Sequence, residues 1–573
     1  MPSELDRRLA SAVQRLTAPG AAFETRLVDS RGLLLPAFAR APTTLPALFA
    51  QFCARHGKAE FLVDGDLRLS FAEVHALACR VAAGLALEHG VRPGDRVAIA
   101  ARNSANWVIA YMGVLIAGGC ATLLNGWWAG PELAGGIALA DCKLVLADPE
   151  RLSRLEGQPV DTKLVGIHGG APETGLSALL TPSDTPWRPP EISGGDPAAL
   201  VFTSGSTGIA KAALSDHRAV VQASFAFAMQ GLSLFAAQTQ SEDPAQPPAP
   251  APPQQTTLLG VPLFHVTGKI ALLLPSFVLG RRVVIMPRWD AREALRLIER
   301  ERVTVFAGVP LMSLEIATHP ARGEHDLSSC GGFAAGGAAR PFDHIGRLRE
   351  ALPHAAHVMG YGLTETNCIG SCNMGDNYLA KPASSGPASR PLVEIAVIGP
   401  DGATLPAGLH GEIAVRSICN FTGYWRNPEE TAATLRADGF FLTGDLGYLD
   451  AAGYLFVVDR RKDIIIRGGE NIASAEVEQA IYAHPGVAEV SVFGLPHARY
   501  GEVPVAVYAI RDGHRLSEDD LRAHLATRIA AFKVPVRLWR EENGLPRLGA
   551  QKIDKRALKA RYSQAWEAAK GAL

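Results

Sequence analysis

Short apolar runs alternate with longer amphipathic or apolar stretches over the first two thirds of the chain. Residues 96–101, 200–202, 282–286 and 303–307 read as buried strands, and residues 105–117 and 291–302 read as helices. Their alternation predicts layered, parallel α/β sheets. After Gly386 the texture changes. Strand-like runs at 393–398, 411–416 and 454–458 follow one another closely, separated by Gly, Pro and Asp, which predicts a β-rich subdomain over about 386–461. From Asp463 onward a helix at 475–483, strands at 487–493 and 504–510 and a helix at 516–531 make a separate small unit. The expected fold class is therefore α/β, with a large N-terminal domain (1–461) of layered sheets plus the β-rich subdomain, and a small C-terminal α+β domain (462–573). Residues 238–255, rich in Pro, Gln and Ala, read as a disordered surface insertion.

With 573 residues, 47% of them hydrophobic, the chain can bury a large core. Lys plus Arg number 56 against 57 Asp plus Glu, so no overall field draws in nucleic acid or an anionic membrane. The N-terminus carries Glu4, Asp6, Arg7 and Arg8 without an apolar core behind them, and the longest apolar stretch, near 270–279, is too short to span a bilayer. A cytoplasmic location is expected. The eight cysteines are scattered, and the close pair Cys368 and Cys372 lacks the second pair of a structural zinc site, so reduced, mostly buried thiols are expected.

The densest chemistry lies at residues 202–212, where Thr203, Ser204, Gly205, Ser206, Thr207 and Gly208 precede Lys211. Glycines let backbone N–H groups turn toward an anion, hydroxyls donate to it, and the lysine brings a mobile charge. The strand-like 198–202 before the loop and the Ala, Val and Phe-rich 213–229 after it predict a strand-to-helix connection that cradles phosphate. The spacing differs from a Walker loop, because Gly208 lies three residues before Lys211 and Ala212 follows the lysine. Taken alone, such a cluster is also an ordinary surface turn.

Further motifs follow in order: Pro262-Leu263-Phe264-His265, Gly336-Gly337-Ala338, Tyr361-Gly362-Leu363-Thr364-Glu365, Gly411-Glu412-Ile413, Thr443-Gly444-Asp445, Asp459-Arg460-Arg461-Lys462-Asp463 and Lys552-Ile553-Asp554-Lys555. Together with the loop at 203–211 they resemble the adenylate-forming superfamily, in its acyl-CoA synthetase branch. The resemblance implies an ATP-dependent acid–thiol ligase: a carboxylate is activated to an acyl-adenylate with release of pyrophosphate, then transferred to the thiol of CoA. It also implies a mobile C-terminal lid that rotates about Lys462.

By the same resemblance the loop holds the β- and γ-phosphates, and Glu365, beside Thr364, holds Mg²⁺. Tyr361 and Gly362 face adenine from one side and Gly336, Gly337 and Ala338 from the other. Asp445 accepts from both ribose hydroxyls, with Arg460 and Val457 nearby. Lys552 bridges carboxylate and α-phosphate in the first step. Gly469, within Arg467-Gly468-Gly469-Glu470-Asn471, lines the pantetheine tunnel in the second. Read singly, each has a plainer alternative: a capping carboxylate for Glu365, a core tyrosine for Tyr361, a surface ion pair for Asp445 and Arg460, and a solvated tail charge for Lys552 beside Lys555, Arg556 and Lys559.

The acid is read from what stands near Phe264-His265, where amino-acid-activating relatives usually carry an aspartate. With His265 and Phe264 by the acyl and thiol tunnels, and Val266, Gly268, Val309, Ala334, Ala335, Met359 and Ile369 as the pocket wall, the expectation is a medium or long aliphatic, or a bulky or aromatic, monocarboxylate. Four residues depart from the family pattern: Ala210, Ala212, Asp459 and Gln551. At a left-handed position each costs on the order of 1 kcal/mol, and Gln551 adjoins the catalytic lysine. The competing readings are an acyl-AMP ligase that loads a carrier protein and a catalytically weakened nucleotide-binding protein. A homodimer is compatible with all three.

Overall fold

The computed structural model describes residues 3–182, 184–203, 211–239, 253–338, 340, 342–548 and 551–570. Two large sheets form the first half of the molecule. The seven-stranded sheet runs in the order Gly423–Tyr424, Lys211–Asp216, Pro197–Thr203, Cys120–Leu123, Arg96–Ala100, Leu144–Ala147 and Lys163–Gly166. Its last five strands are mutually parallel, as the βα alternation predicts. The eight-stranded sheet holds Val305–Gly308, Gly332–Gly336 and Ala356–Tyr361 as parallel neighbours, with antiparallel strands at both edges. Between the sheets lies a continuous apolar core in which every residue of the helix Ala105–Ile116 is buried. That helix begins at Ser104, whose hydroxyl accepts from the Trp107 N–H at 3.0 Å.

Four expectations change. The segment after the 203–211 loop is first a strand, Lys211–Asp216, antiparallel to Pro197–Thr203, so the loop closes a hairpin. The helix begins only at His217, after Asp216 Oδ1 accepts the Ala219 N–H at 2.7 Å. Alanine-rich composition hid the strand, because residues 212–216 belong to a sheet edge completed by the distant Tyr424, which pairs with Ala213. The stretch His217–Gln238 is also longer than the apolar run at 270–279, and by length and composition it could cross a membrane. It packs instead on the helices Glu4–Thr17 and Leu274–Leu279, with Val220, Val221, Ala223 and Phe225 buried. The helix expected over 516–531 is shorter, Glu518–Ala526, started by a Ser517–Asp520 capping box, with Ile529 and Phe532 packing beyond its end. Finally, the basic tail is a helix, Lys555–Lys570, that buries Leu558 and Tyr562.

The 386–461 region forms a five-stranded sheet in which Phe440–Leu449 pairs with both Gly411–Ser417 and Tyr454–Arg460. The C-terminal sheet carries Ile465–Arg467, Glu470–Ile472, Val487–His497, Gly501–Ile510 and Arg537–Glu541 around its own core. All eight cysteines are free thiols, five of them buried. Of the 238–255 segment, residues 240–252 lie outside the described residues.

Candidate active site

The C-terminal ends of the parallel strands, the β-rich subdomain and the C-terminal domain enclose one large cleft of 2680 Å³. Register sets its polar wall. Asp445 on Phe440–Leu449 lies opposite Arg460 on Tyr454–Arg460, so the two side chains meet, Arg460 Nε to Asp445 Oδ1 at 3.1 Å. Tyr361, the last residue of Ala356–Tyr361, donates its hydroxyl to Asp445 Oδ2 at 2.8 Å. Both oxygens of a buried carboxylate are thereby oriented before any ligand arrives. Burial raises the Asp445 pKa, and Arg460 and the Tyr361 hydroxyl oppose that rise. Val457, half-buried on the same strand as Arg460, lines the cleft beside them.

Glu365 sits in the short turn Thr364–Thr366 and is buried. Its Oε1 accepts the Tyr424 hydroxyl at 2.8 Å, and burial raises its pKa more than that bond lowers it. Tyr424 also lies under Lys211, whose Nζ is 5.3 Å from the ring centroid and ion-paired to Glu430. Thr203 and Lys211 thus stand at the two stems of the hairpin, with the Thr203 hydroxyl 3.5 Å from the Lys211 carbonyl. Ser204, Gly205, Ser206, Thr207 and Gly208 lie outside the described residues. Among the described residues no group of three His, Cys, Asp or Glu could hold a metal ion. Glu365 faces the cleft, and one carboxylate suits a Mg²⁺ that takes its other ligands from substrate phosphates and water.

Lys552 enters from the C-terminal domain. Its carbonyl accepts the Leu548 N–H at 2.7 Å in a turn braced by the Arg547–Ile553 bridge. The amine ends beside Gly337: a Cβ on that glycine, which holds φ +77°, would stand 3.5 Å from Nζ. Burial lowers the Lys552 pKa, with the neighbouring Arg460 charge adding to the effect and Cys368 and Asp445 opposing it. His265, whose ring lies 4.6 Å from that of Phe264, also faces Lys552, and burial pushes its pKa down to about 3. Gly336, Ala338, Gly362 and Thr364 complete this part of the wall.

The structure therefore brings together the described nucleotide residues, Glu365, His265 and Lys552. Gly469 stays apart, exposed in the turn between Ile465–Arg467 and Glu470–Ile472 and away from the cleft. Of the expected acyl wall, Gly268 and Ile369 do not line the cleft. Gly268 is pressed against the Pro262 carbonyl and Ile369 is packed in the core. Phe264 likewise faces a separate small cavity.

Sequence reasoning missed Tyr424 and Glu430, and of the strand rungs that face the cleft it named only Ala334 for the acyl wall. The half-buried positions of three parallel strands form rungs of small residues, Val305–Gly332–Ala356, Ala307–Ala334–Val358 and Gly336–Gly360. Phe227, Gly231 and Leu234, on one face of the helix His217–Thr239, line the same cleft. Only register reveals the rungs, whereas the Gly423-Tyr424-Trp425 run was visible as an aromatic pair at a turn.

The departures resolve unequally. Gln551 has φ +61°, a left-handed conformation that disfavours side chains. Ala212 and Asp459 sit in strands without such strain, and Ala210 lies outside the described residues. Asp459 makes a new contact: its Oδ2 accepts the Ala475 N–H at 3.3 Å, at the start of the C-terminal-domain helix Ser474–Tyr482, whose own N-cap is Ala473.

Residues 49–425 match the family model of the AMP-binding enzymes, and residues 476–552 match that of the AMP-binding enzyme C-terminal domain. The chain belongs to the AMP-binding enzyme family. It is 33% identical to a feruloyl-CoA synthase of Amycolatopsis sp over 500 residues, covering 87% of this chain and 95% of the relative. It is 32% identical to a methyl-dioxo-octahydro-indenyl-propanoyl:CoA ligase of Rhodococcus jostii (strain RHA1) over 538 residues, 90% of this chain and 98% of the relative. The ATP-bound crystal structure of MatB from Rhodopseudomonas palustris superimposes with a TM-score of 0.78 at 28% identity, covering 91% of this chain and 99% of that one. This AMP-binding enzyme is an acid–thiol ligase that uses ATP and CoA.

Proposed function

We propose that the enzyme activates a medium or long aliphatic, or a bulky or aromatic, monocarboxylic acid. The observation that carries this reading is the position of Lys552, whose amine stands where the polar wall of Asp445 and Arg460 meets the groove of small residues. Two anions must meet there, the acid and the α-phosphate, and a cation placed between them lowers the barrier to attack. The carboxylate oxygen attacks phosphorus and pyrophosphate leaves. Glu365 would hold Mg²⁺, which neutralises phosphate charge when bound. Lys211 and Thr203, with Ser204, Gly205, Ser206, Thr207 and Gly208, would hold the leaving phosphates. Asp445 and Arg460 would fix the ribose, and Tyr361, Gly362, Gly336, Gly337, Ala338 and Val457 would enclose the base.

In the second step the CoA sulfur attacks the acyl carbonyl and AMP leaves. For the thiol to approach, Lys552 would withdraw: the C-terminal domain, 462–573, would turn about exposed Lys462 and bring Gly469 inward, with His265 beside the thiol path. The relatives named for feruloyl and bicyclic acids support an acid larger than acetate.

Purified protein incubated with MgATP, CoA and a pooled panel of aliphatic, aromatic and polycyclic acids tests this by mass spectrometry of the products. Acyl-CoA and AMP from the larger acids are expected. Acyl-AMP without thioester would contradict CoA as the acceptor, and turnover of acetate alone would contradict the acid class.

A further inference from the structure

The three rungs continue past the reacting end of the cleft to the opposite end of the strands, where Arg281 waits. Two rung spacings at roughly 3.3 Å per residue put Gly332 about 13 Å from Gly336. At that far end the cleft is lined by Val305, Gly332, Gln255, Gly231 and Arg281. Arg281 Nε donates to Gln255 Oε1 at 2.8 Å, which fixes the guanidinium plane. No carboxylate pairs with Arg281 among the described residues, whereas its neighbour Arg282 is bound to Glu60 and to the Glu301 carbonyl. A Cβ at Gly231 would stand 3.2 Å from Arg281 Nη2, so the glycine in the middle of the long helix is what leaves room for the charged group. Burial lowers the Arg281 pKa to about 10.

An oriented guanidinium at the end of a channel walled by the Val, Ala and Gly rungs is a poor terminus for a hydrocarbon and a good one for an oxygen acceptor. We propose that Arg281 is a specificity-determining residue that reads the distal end of the acid. The preferred substrates are then acids whose apolar body, about 13 Å long, ends in a carbonyl or carboxylate oxygen that accepts from Arg281 Nη1 and Nη2. This deepens the reading of the cleft as the acyl site and rests on it.

The test uses three acids of equal length, one ending in methyl, one in a ketone and one in a second carboxylate. For each, pyrophosphate exchange gives kcat/KM, and the non-reactive acyl-sulfamoyl-adenosine gives an affinity that does not depend on turnover. Wild type should favour an oxygen-ended acid over the methyl-ended one by about tenfold or more. The dicarboxylate arm shows whether charge or a neutral carbonyl is the better partner. In Arg281→Met the ratio should collapse toward one, and in Arg281→Lys part of it should return, with the change carried by KM. Equal handling of the three acids by wild type, or a ratio unchanged in Arg281→Met, overturns the inference. Absence of any CoA thioester while the adenylate analogues still show the ratio would instead count against CoA as the acceptor and leave the role of Arg281 standing.

Discussion

On the wall formed by Tyr361, Asp445 and Arg460, polar side chains hold one another in place before a ligand arrives; on the wall formed by the three parallel strands, room is kept by the near absence of side chains. The first wall is specified by residue type. A ribose diol needs a paired acceptor and a phosphate needs donors and cations, so substitution there removes a definite interaction. The second is specified by volume, since Gly332 and Ala334 leave space, and substitution there should remove substrates while leaving the nucleotide chemistry intact. Lys552 stands where the two meet and should be indispensable to the step that joins them.

That contrast predicts a graded set of losses. Lys552→Ala should lower the steady-state rate of acyl-CoA formation by on the order of 10²–10³-fold, measured as AMP release. Ala334→Phe should fill the middle rung and cut kcat/KM for long or bulky acids by about 10²-fold, while the KM for ATP stays put; a parallel rise in that KM would show that the two walls are not separable. Asp445→Ala should raise the KM for ATP about 10- to 100-fold without altering the ranking of acids, the reverse pattern.

The pH profile sharpens the role of the lysine. In the proposed role the protonated amine is the active form, and burial beside Arg460 lowers its pKa. Adenylate formation should therefore be lost as pH rises through that lowered value, earlier than an ordinary lysine would allow, by about tenfold per pH unit. Lys552→Arg should remove this alkaline limb, because guanidinium stays protonated. Asp459→Ala should have the smallest effect, about fivefold on the first half-reaction, since losing a cap costs about 1 kcal/mol. The contact joins the C-terminal domain to the body in this orientation.

Much of the polar wall was legible in the sequence through the family resemblance that its short motifs carry: Tyr361, Glu365, Asp445, Arg460 and Lys552, taken from four separate segments, line one cleft. The alternating strands and helices of the first half were legible for a similar reason, as periodicity records burial. What escaped depends on partners distant in the chain. The strand Lys211–Asp216 exists because a hairpin and Tyr424 complete it, and Asp459 is a cap only because a helix from another domain begins against it. The groove of small residues is the extreme case: Ala334 was anticipated, but Ala307 and Val358 look like any apolar strand until the register aligns them with it on one rung.

The most direct measurement separates the two half-reactions in Lys552→Ala, following pyrophosphate exchange with MgATP and acid, and then thioester formation from supplied acyl-adenylate and CoA. Exchange should be abolished while thioester formation stays close to wild type, because Lys552 serves the first step and must leave the cleft for the second. Equal loss of both half-reactions would contradict that assignment, and with it the account of how the two walls are joined.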